Sequence, residues 1–441
     1  MIETPYGSFP EEYHLDELED LCVKKIGIQT GPFGSQLHNS DYVSVGTPIL
    51  TVEHLGENRI IHENLPRVTE EDRQRLSRYS IKKGDIIFSR VGSVDRRALV
   101  RDAEDGWLFS GRCLRVRPDP EKLDSIFLSY LMGLPTFQEY VRKIAVGATM
   151  PSINTEILSG IPICYPPLPT QHAIARILGS LDDKIELNRQ MNETLEAMAK
   201  AIFQSWFVDF DPVRAKAEGR QPAGMDAATA ALFPGEFEEV DGREVPRGWG
   251  VEMLSESFII TMGQSPPGIT YNENGEGVPF FQGRTDFGFR YPTVRVYCTV
   301  PTRFAEAGDS LVSVRAPVGD INLAQAKCCI GRGVAAVRHK TGSRSFTYYQ
   351  MLSFKDIFAL FESEGTVFGS IAKTDFNSIE CITPPKEIVK KFEQIVFPID
   401  QMIENNEQQS RTLAQIRDAL LPRLMSGEMQ MNNLDCISDN K

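Results

Sequence analysis

The chain has 441 residues, 60 acidic and 47 basic side chains, and a formal net charge of −13. That surplus argues against a protein that coats DNA or any other polyanion indiscriminately. No apolar run approaches the roughly 20 residues of a membrane span, and the first twenty residues, with seven acidic side chains and no Lys or Arg, do not resemble a secretory signal.

Eight cysteines are scattered without a CxxC, and the six histidines form no cluster. Neither a disulfide framework nor a metal site is expected, and the pattern suits a reduced, cytoplasmic protein. No Gly-Lys pair occurs, which removes a Walker A loop. The nearest match to an amino-methyltransferase motif is SPPG at 265–268, where Gly268 replaces the aromatic ring that would stack on a flipped base. No catalytic set is expected.

In chain order, residues 1–165 read as a first domain. Strands are predicted at TPILTVEH (47–54), GDIIFSR (84–90) and CLRVRP (113–118), followed by helical sequence over 125–144. Strands first and helices later predict an α+β domain. Residues 73–117 carry twelve Lys/Arg against five Asp/Glu, a basic island in an acidic chain. Arginine matches guanine edges and phosphates. Arg90, Arg96 and Arg97 follow GDIIFSR, where a loop should open, and are candidate DNA contacts. Ser35 and Gln36 in GPFGSQL are further candidates. Thr149 and Ser152 in GATMPSIN either bind phosphate or shape a turn.

Residues 166–210 predict a long helix. Ile174, Leu178, Leu181, Ile185, Leu195, Ala199, Ile202 and Trp206 recur in steps of four and three, a heptad seam with Asn188 and Asn192 in its gaps. Those polar positions either pair across a helix interface, as a register device, or face solvent or contact another protein. Phe203, Trp206, Phe207 and Phe210 end the helix as a local core or as a docking patch for a partner. An acidic linker follows at 211–249.

Residues 250–383 read as a second domain, with strands at VPFFQG (278–283), DSLVSVR (309–315) and GVAAVR (333–338) and helices over 345–363. Its basic island, 284–338, holds eight Lys/Arg against four Asp/Glu. Arg284 and Arg315 are the leading DNA-contact candidates there, with Arg290 and Arg332 behind them. Residues 384–427 predict a second long helix, with Phe392, Val396, Ile399, Ile403, Leu413 and Leu420 on its seam and Asn406 in a gap. A tail, 428–441, ends the chain.

The two halves echo one another. LDDKIELNRQ (181–190) and IDQMIENNEQ (399–408) share five of ten positions at an offset of 218 residues. Upstream, Pro166 and Pro167 align with Pro384 and Pro385, and GDIIFSRVG resembles GDSLVSVRAPVG. A duplicated unit of domain plus helix is implied. The seams most simply pack antiparallel, which gives duplicated domains an approximate two-fold axis.

These motifs, in this order, resemble the specificity subunits of type I restriction–modification systems. The resemblance rests on GPFGSQL, GDIIFSRVG, the run from GATMPSIN through FVDFDPVRAKAEG, then VPRGW, GDSLVSVRAPVG and PPKEIVKKFEQIVFPIDQMIENNEQQSRTLAQIRDALLPRLMSGEM. It implies two target-recognition domains separated by an antiparallel helical spacer, each reading half of a bipartite, asymmetric site in double-stranded DNA. It also implies a chain without catalysis or cofactor of its own. S-adenosylmethionine, ATP and Mg would belong to partners: two methyltransferase subunits docked on the helices, and translocase–nuclease subunits. The competing reading is a duplicated scaffold that binds protein at both ends of a helical rod.

Overall fold

The computed structural model describes residues 1–32, 36–363 and 369–429. Two helices of 40 residues each, Leu168–Phe207 and Lys386–Met425, start 218 residues apart. The sequence echo is therefore an echo of whole elements. Contacts divide the chain into two compact units, and the division passes through both helices. One unit is Met1–Glu186 with the chain from Ser410 onward, and the other is Leu187–Gln409.

Each unit contains the same antiparallel four-stranded sheet. In the first, the order is Ile28–Thr30, Cys113–Val116, Ile86–Ser89, Arg97–Leu99. In the second it is Phe258–Met262, Val334–His339, Ser310–Ser313, Ile321–Leu323. Each unit also has a second sheet built on a parallel pair, Thr47–Leu50 with Leu108–Phe109 and Val278–Phe281 with Cys328–Ile330. A strand pair closes each domain, His14–Glu17 with Pro162–Tyr165 and Gly250–Met253 with Glu380–Thr383.

The central strands are buried on both faces, and their side chains alternate between two cores. Ile86, Phe88, Leu114 and Val116 pack with the helices Ser125–Leu131 and Pro135–Ile144, whereas Ile87, Ala98 and Cys113 pack toward the second sheet. The second unit repeats this. Val312, Ala335 and Val337 join the large helical core, while Leu311, Val334 and Ala336 face the other way.

The repeated Gly-Asp dipeptide has a mechanical explanation. Gly84 and Gly308 both sit at φ +87°, a conformation that glycine adopts without steric cost. The next residue folds back: Asp85 accepts the Lys82 N–H and Asp309 the Glu306 N–H, each at 2.8 Å. Each carboxylate then takes an arginine from the adjacent strand end, Arg117 on Asp85 at 2.6 Å and Arg338 on Asp309 at 2.5 Å.

Within each unit the two helix segments run antiparallel. In the first, Ile174 and Leu178 share a core with Leu420, Leu421 and Leu424, and Arg417 reaches Asp182 at 2.7 Å. In the second, Asn188 donates to Gln409 at 2.9 Å, Asn406 donates to Asn192 at 2.9 Å, and Phe203 stacks edge-on against Phe392. Asn188 is fully buried and Asn192 nearly so, which places the polar positions inside the seam. Ile174, Leu178, Phe392, Val396 and Ile403 are buried as well. Leu181, Ile185, Leu195, Ile202, Ile399, Leu413 and Leu420 are half-buried along its margins.

The segment 211–249 is more structured than a simple linker. It forms helices Asp211–Ala217 and Ala227–Ala231 and the hairpin Phe237–Val240 with Arg243–Pro246. Val213, Phe233, Val245 and Trp249 are buried. Among the described residues, no helix is long and apolar enough to cross a membrane.

Candidate nucleic-acid interface

In the second domain, three strand ends converge on one open cleft of about 560 Å³. Gln282 and Arg284 follow Val278–Phe281, Arg315 follows Ser310–Ser313, and Arg332 lies in the turn before Val334–His339. Main-chain bonds fix the floor. Gly333 donates to the Gln282 carbonyl at 3.0 Å, Gly331 to the Phe281 carbonyl at 2.9 Å, and Val314 to the Gly333 carbonyl at 2.9 Å. Ser265 Oγ accepts the Arg332 N–H at 3.2 Å, so SPPG is a wall of this cleft. Gly263 permits the close approach: a Cβ there would lie 2.1 Å from the Gly331 carbonyl oxygen.

The charges of the cleft are loosely held. Arg284 pairs with Asp320, and both side chains are almost half exposed. Arg295 reaches Asp286 at 3.2 Å and Glu273 at 3.5 Å. Exposed pairs of this kind contribute about 0–1 kcal/mol, so they are easily exchanged for another anion. Among the described residues, the Arg315 and Arg332 guanidiniums make no hydrogen bond or ion pair. Four arginines, a glutamine and two hydroxyl side chains thus present donors in one concavity, a chemistry suited to phosphates and guanine edges.

The first domain builds the same frame with different side chains. Gly31 approaches Ser110 as Gly263 approaches Gly331, with a Cβ that would lie 2.2 Å from the carbonyl oxygen. The main chain at 146–153 lies beside the strand end, with Ile153 donating to the Arg90 carbonyl and Gly92 to the Pro151 carbonyl. Ser89 and Ser313 occupy equivalent register positions in the two sheets. Arg90 therefore corresponds to buried Val314, and Arg315 to Val91. Arg90 is half-buried and donates to Thr30 at 3.4 Å and the Gly111 carbonyl at 3.3 Å.

Comparison with known proteins fits this duplicated design. The family model for the type I restriction modification DNA specificity domain matches residues 10–197 and 301–415. The chain belongs to the type I restriction–modification specificity family. It is 30% identical over 439 residues to the specificity subunit assigned to the type I enzyme MjaX of Methanocaldococcus jannaschii, covering 97% of this chain and 96% of that one. It is also 30% identical to the HindI specificity subunit of Haemophilus influenzae, covering 84% and 92%. The solved S subunit of a type I system from M. genitalium shares the fold with a TM-score of 0.60 at 18% identity, over 96% of this chain and 99% of that chain. DNA-sequence specificity is general to this family, and its specificity subunits are non-catalytic as a class.

Against this background the candidates in this specificity subunit divide. Arg284, Arg315 and Arg332 share one cleft, and Arg96 is exposed on the turn after Ile86–Ser89. Arg290 and Arg97 are corrections. Arg290 is wholly buried, bonded to Asp400 at 2.6 Å and to Glu196 at 3.3 Å, and so cannot touch DNA in this structure. Arg97 is buried with its Nε donating to the Ser129 carbonyl at 2.5 Å, and burial pushes its pKa down to about 10. Gly133 makes room for its guanidinium, since a Cβ there would overlap it at 1.9 Å. The aromatic set is a third correction. Phe203, Trp206, Phe207 and Phe210 are no more than 6% exposed and pack against Phe346, Phe392, Phe233 and Trp249. They belong to the buried core of the second unit, the local core that was one of their two readings.

Gln36 is exposed, its side chain accepting from the Tyr79 hydroxyl at 2.7 Å. Thr149 is exposed, while Ser152 is half-buried and bonds Val146 as part of a turn. Ser35 lies outside the described residues. Sequence reasoning missed Arg295, Gln282 and Ser265. Arg295 lies in the basic island, but it follows no recognisable strand. Among the described residues, no group of three or more His, Cys, Asp or Glu could hold a metal ion.

Proposed function

We propose that the chain is the sequence-reading subunit of a type I restriction–modification complex, with each domain reading one half of a bipartite, asymmetric DNA site. The observation that carries this is the cleft where Arg284, Arg295, Arg315 and Arg332 converge at strand ends. The duplicated frame supports two readings of the same kind, and the differing side chains support two different half-sites. The two long helices set the separation of the half-sites and dock two methyltransferase subunits. Those partners supply S-adenosylmethionine and the chemistry, and translocase–nuclease subunits with ATP and Mg complete the complex.

The test is to reconstitute the chain with its methyltransferase partner and sequence the modified DNA. A gapped, two-part motif is expected. Exchanging residues 1–160 for those of another family member should alter one half of the motif and leave the other. A change in both halves, or in neither, would reject the assignment. A scaffold without DNA contact would give no motif, and its apparent DNA affinity would not fall steeply with salt.

A further inference from the structure

The loop between Phe281 and Tyr297 carries cleft residues at both ends, Arg284, Thr285 and Asp286 on one side and Arg295 on the other. Its middle turns inward. Arg290 Nη1 donates to Asp400 on the second long helix at 2.6 Å, and Nη2 lies 3.3 Å from Glu196 on the first. Nη2 also donates to the Tyr349 hydroxyl at 2.9 Å, and the guanidinium lies over the Tyr348 ring, 4.2 Å from its centroid. The next residue repeats the attachment. The Tyr291 hydroxyl accepts from Arg344, which reaches Glu404, one helical turn beyond Asp400, at 3.2 Å. Gly288 is pinned to Asn322 by a reciprocal pair of bonds at 3.1 and 3.0 Å.

A cleft loop could be stabilised more simply by apolar packing. Burying a charge is costly unless it is paired and fully bonded. What an arginine adds is direction: its planar fork bonds only groups placed at set angles. Here the fork ties the midpoint of a DNA-facing loop to one residue on each helix.

The geometry points to Arg290 as a positioning residue for recognition: by fastening the 284–295 loop to both long helices, it sets which bases the second-domain cleft accepts. This rests on the proposed reading of that cleft. Arg290 touches no DNA and acts through Arg284 and Arg295.

The experiment uses the full chain in complex with its methyltransferase and reads the modification motif by sequencing. Two variants are compared with the parent. Arg290→Lys keeps the charge, but a single ammonium cannot span Asp400, Glu196 and Tyr349 together. Arg290→Met combined with Asp400→Asn removes the charge without leaving the Asp400 carboxylate bare. Melting temperature and yield of the complex identify the variant that is folded. In that variant, discrimination should fall at least tenfold at one or more bases of the half-site read by the second domain, with the other half unchanged. An intact motif in a folded variant overturns the inference, as does an equal loss in both halves, which is the signature of a merely structural role. If the parent complex gives no two-part motif, the proposed function itself has failed, a result distinct from either of these.

Discussion

The Tyr130 hydroxyl donates to Asp182 at 2.5 Å. Its counterpart, Tyr349, donates to Asp400 at 3.0 Å. Both tyrosines lie six residues after a helix N-cap, Asp124 before Ser125–Leu131 and Ser343 before Arg344–Ser353. The aspartate that recurs in the two helices therefore ties each helix to its own domain. The second partner differs: Asp182 takes Arg417 from the other helix, whereas Asp400 takes Arg290 from the cleft loop.

That difference ranks two substitutions. Asp400→Ala leaves Arg290 buried without its main counter-charge, and loss of a buried partner costs about 3–5 kcal/mol. Asp182→Ala should cost less, because Arg417 is partly exposed and keeps Asp418 at 2.8 Å. Tyr130→Phe and Tyr349→Phe should each cost about 1–3 kcal/mol, the price of a buried acceptor left short of a donor. Denaturant unfolding of the four variants checks the order.

The cleft arginines should show themselves through salt. Arg284→Ala, Arg315→Ala and Arg332→Ala are each expected to reduce the slope of log affinity against log salt by about 1 for a phosphate contact, or to relax one base by about 1–3 kcal/mol for a guanine contact. Arg97→Ala should do neither and should instead lower thermal stability. Binding titrations of the assembled complex at several salt concentrations separate these outcomes.

Asn188 tests the polar seam. It gives its amide to Gln409, which lies at the surface and can turn to water. Asn188→Leu is therefore expected to preserve or raise the melting temperature while weakening the register of the helix pair, since an apolar residue accepts several alignments. The register loss should appear as faster hydrogen exchange over 188–195 and 402–409. A large fall in melting temperature with unchanged exchange would contradict this.

His339 should make the second unit sensitive to acid. It is buried, edge-on to Phe258 and Phe346, and burial lowers its pKa to about 4. The unfolded chain, with an ordinary histidine pKa near about 6.5, binds the proton first. Its contribution is therefore complete above pH 6.5 and is lost as pH falls toward 4. Unfolding of His339→Gln should show a smaller loss of stability across that window than the parent.

The duplication, three strands of each domain and the helices that follow them were readable because each is a local pattern that occurs twice, whereas the sheet strands Ile28–Thr30, Arg97–Leu99, Phe258–Met262 and Ile321–Leu323 were missed. GDIIFSR and GDSLVSVR carry turn chemistry and strand periodicity together, and the 218-residue offset held from the prolines to the asparagines. The fate of single arginines was not readable. Arg96 and Arg97 are neighbours, yet one faces out and the other in, because Arg97 begins a strand whose alternate side chains face the helices. Arg290 is buried because Asp400 lies opposite it, 110 residues away, and no local pattern announces that pairing. The aromatic run ending the first long helix allowed two readings, and only its surroundings choose between them. The cleft itself is made by three strand ends separated in sequence, which is why Arg295 escaped notice.

The division of the chain into units has a consequence for synthesis. Leu187–Gln409 is an uninterrupted insertion within the other unit, whose final pieces, Leu420, Leu421, Leu424 and Met425, close a core begun at Tyr6. The part of the protein that leaves the ribosome first is thus completed last. A message truncated after Gln409 would spare the later half and leave the earlier half with an open wall.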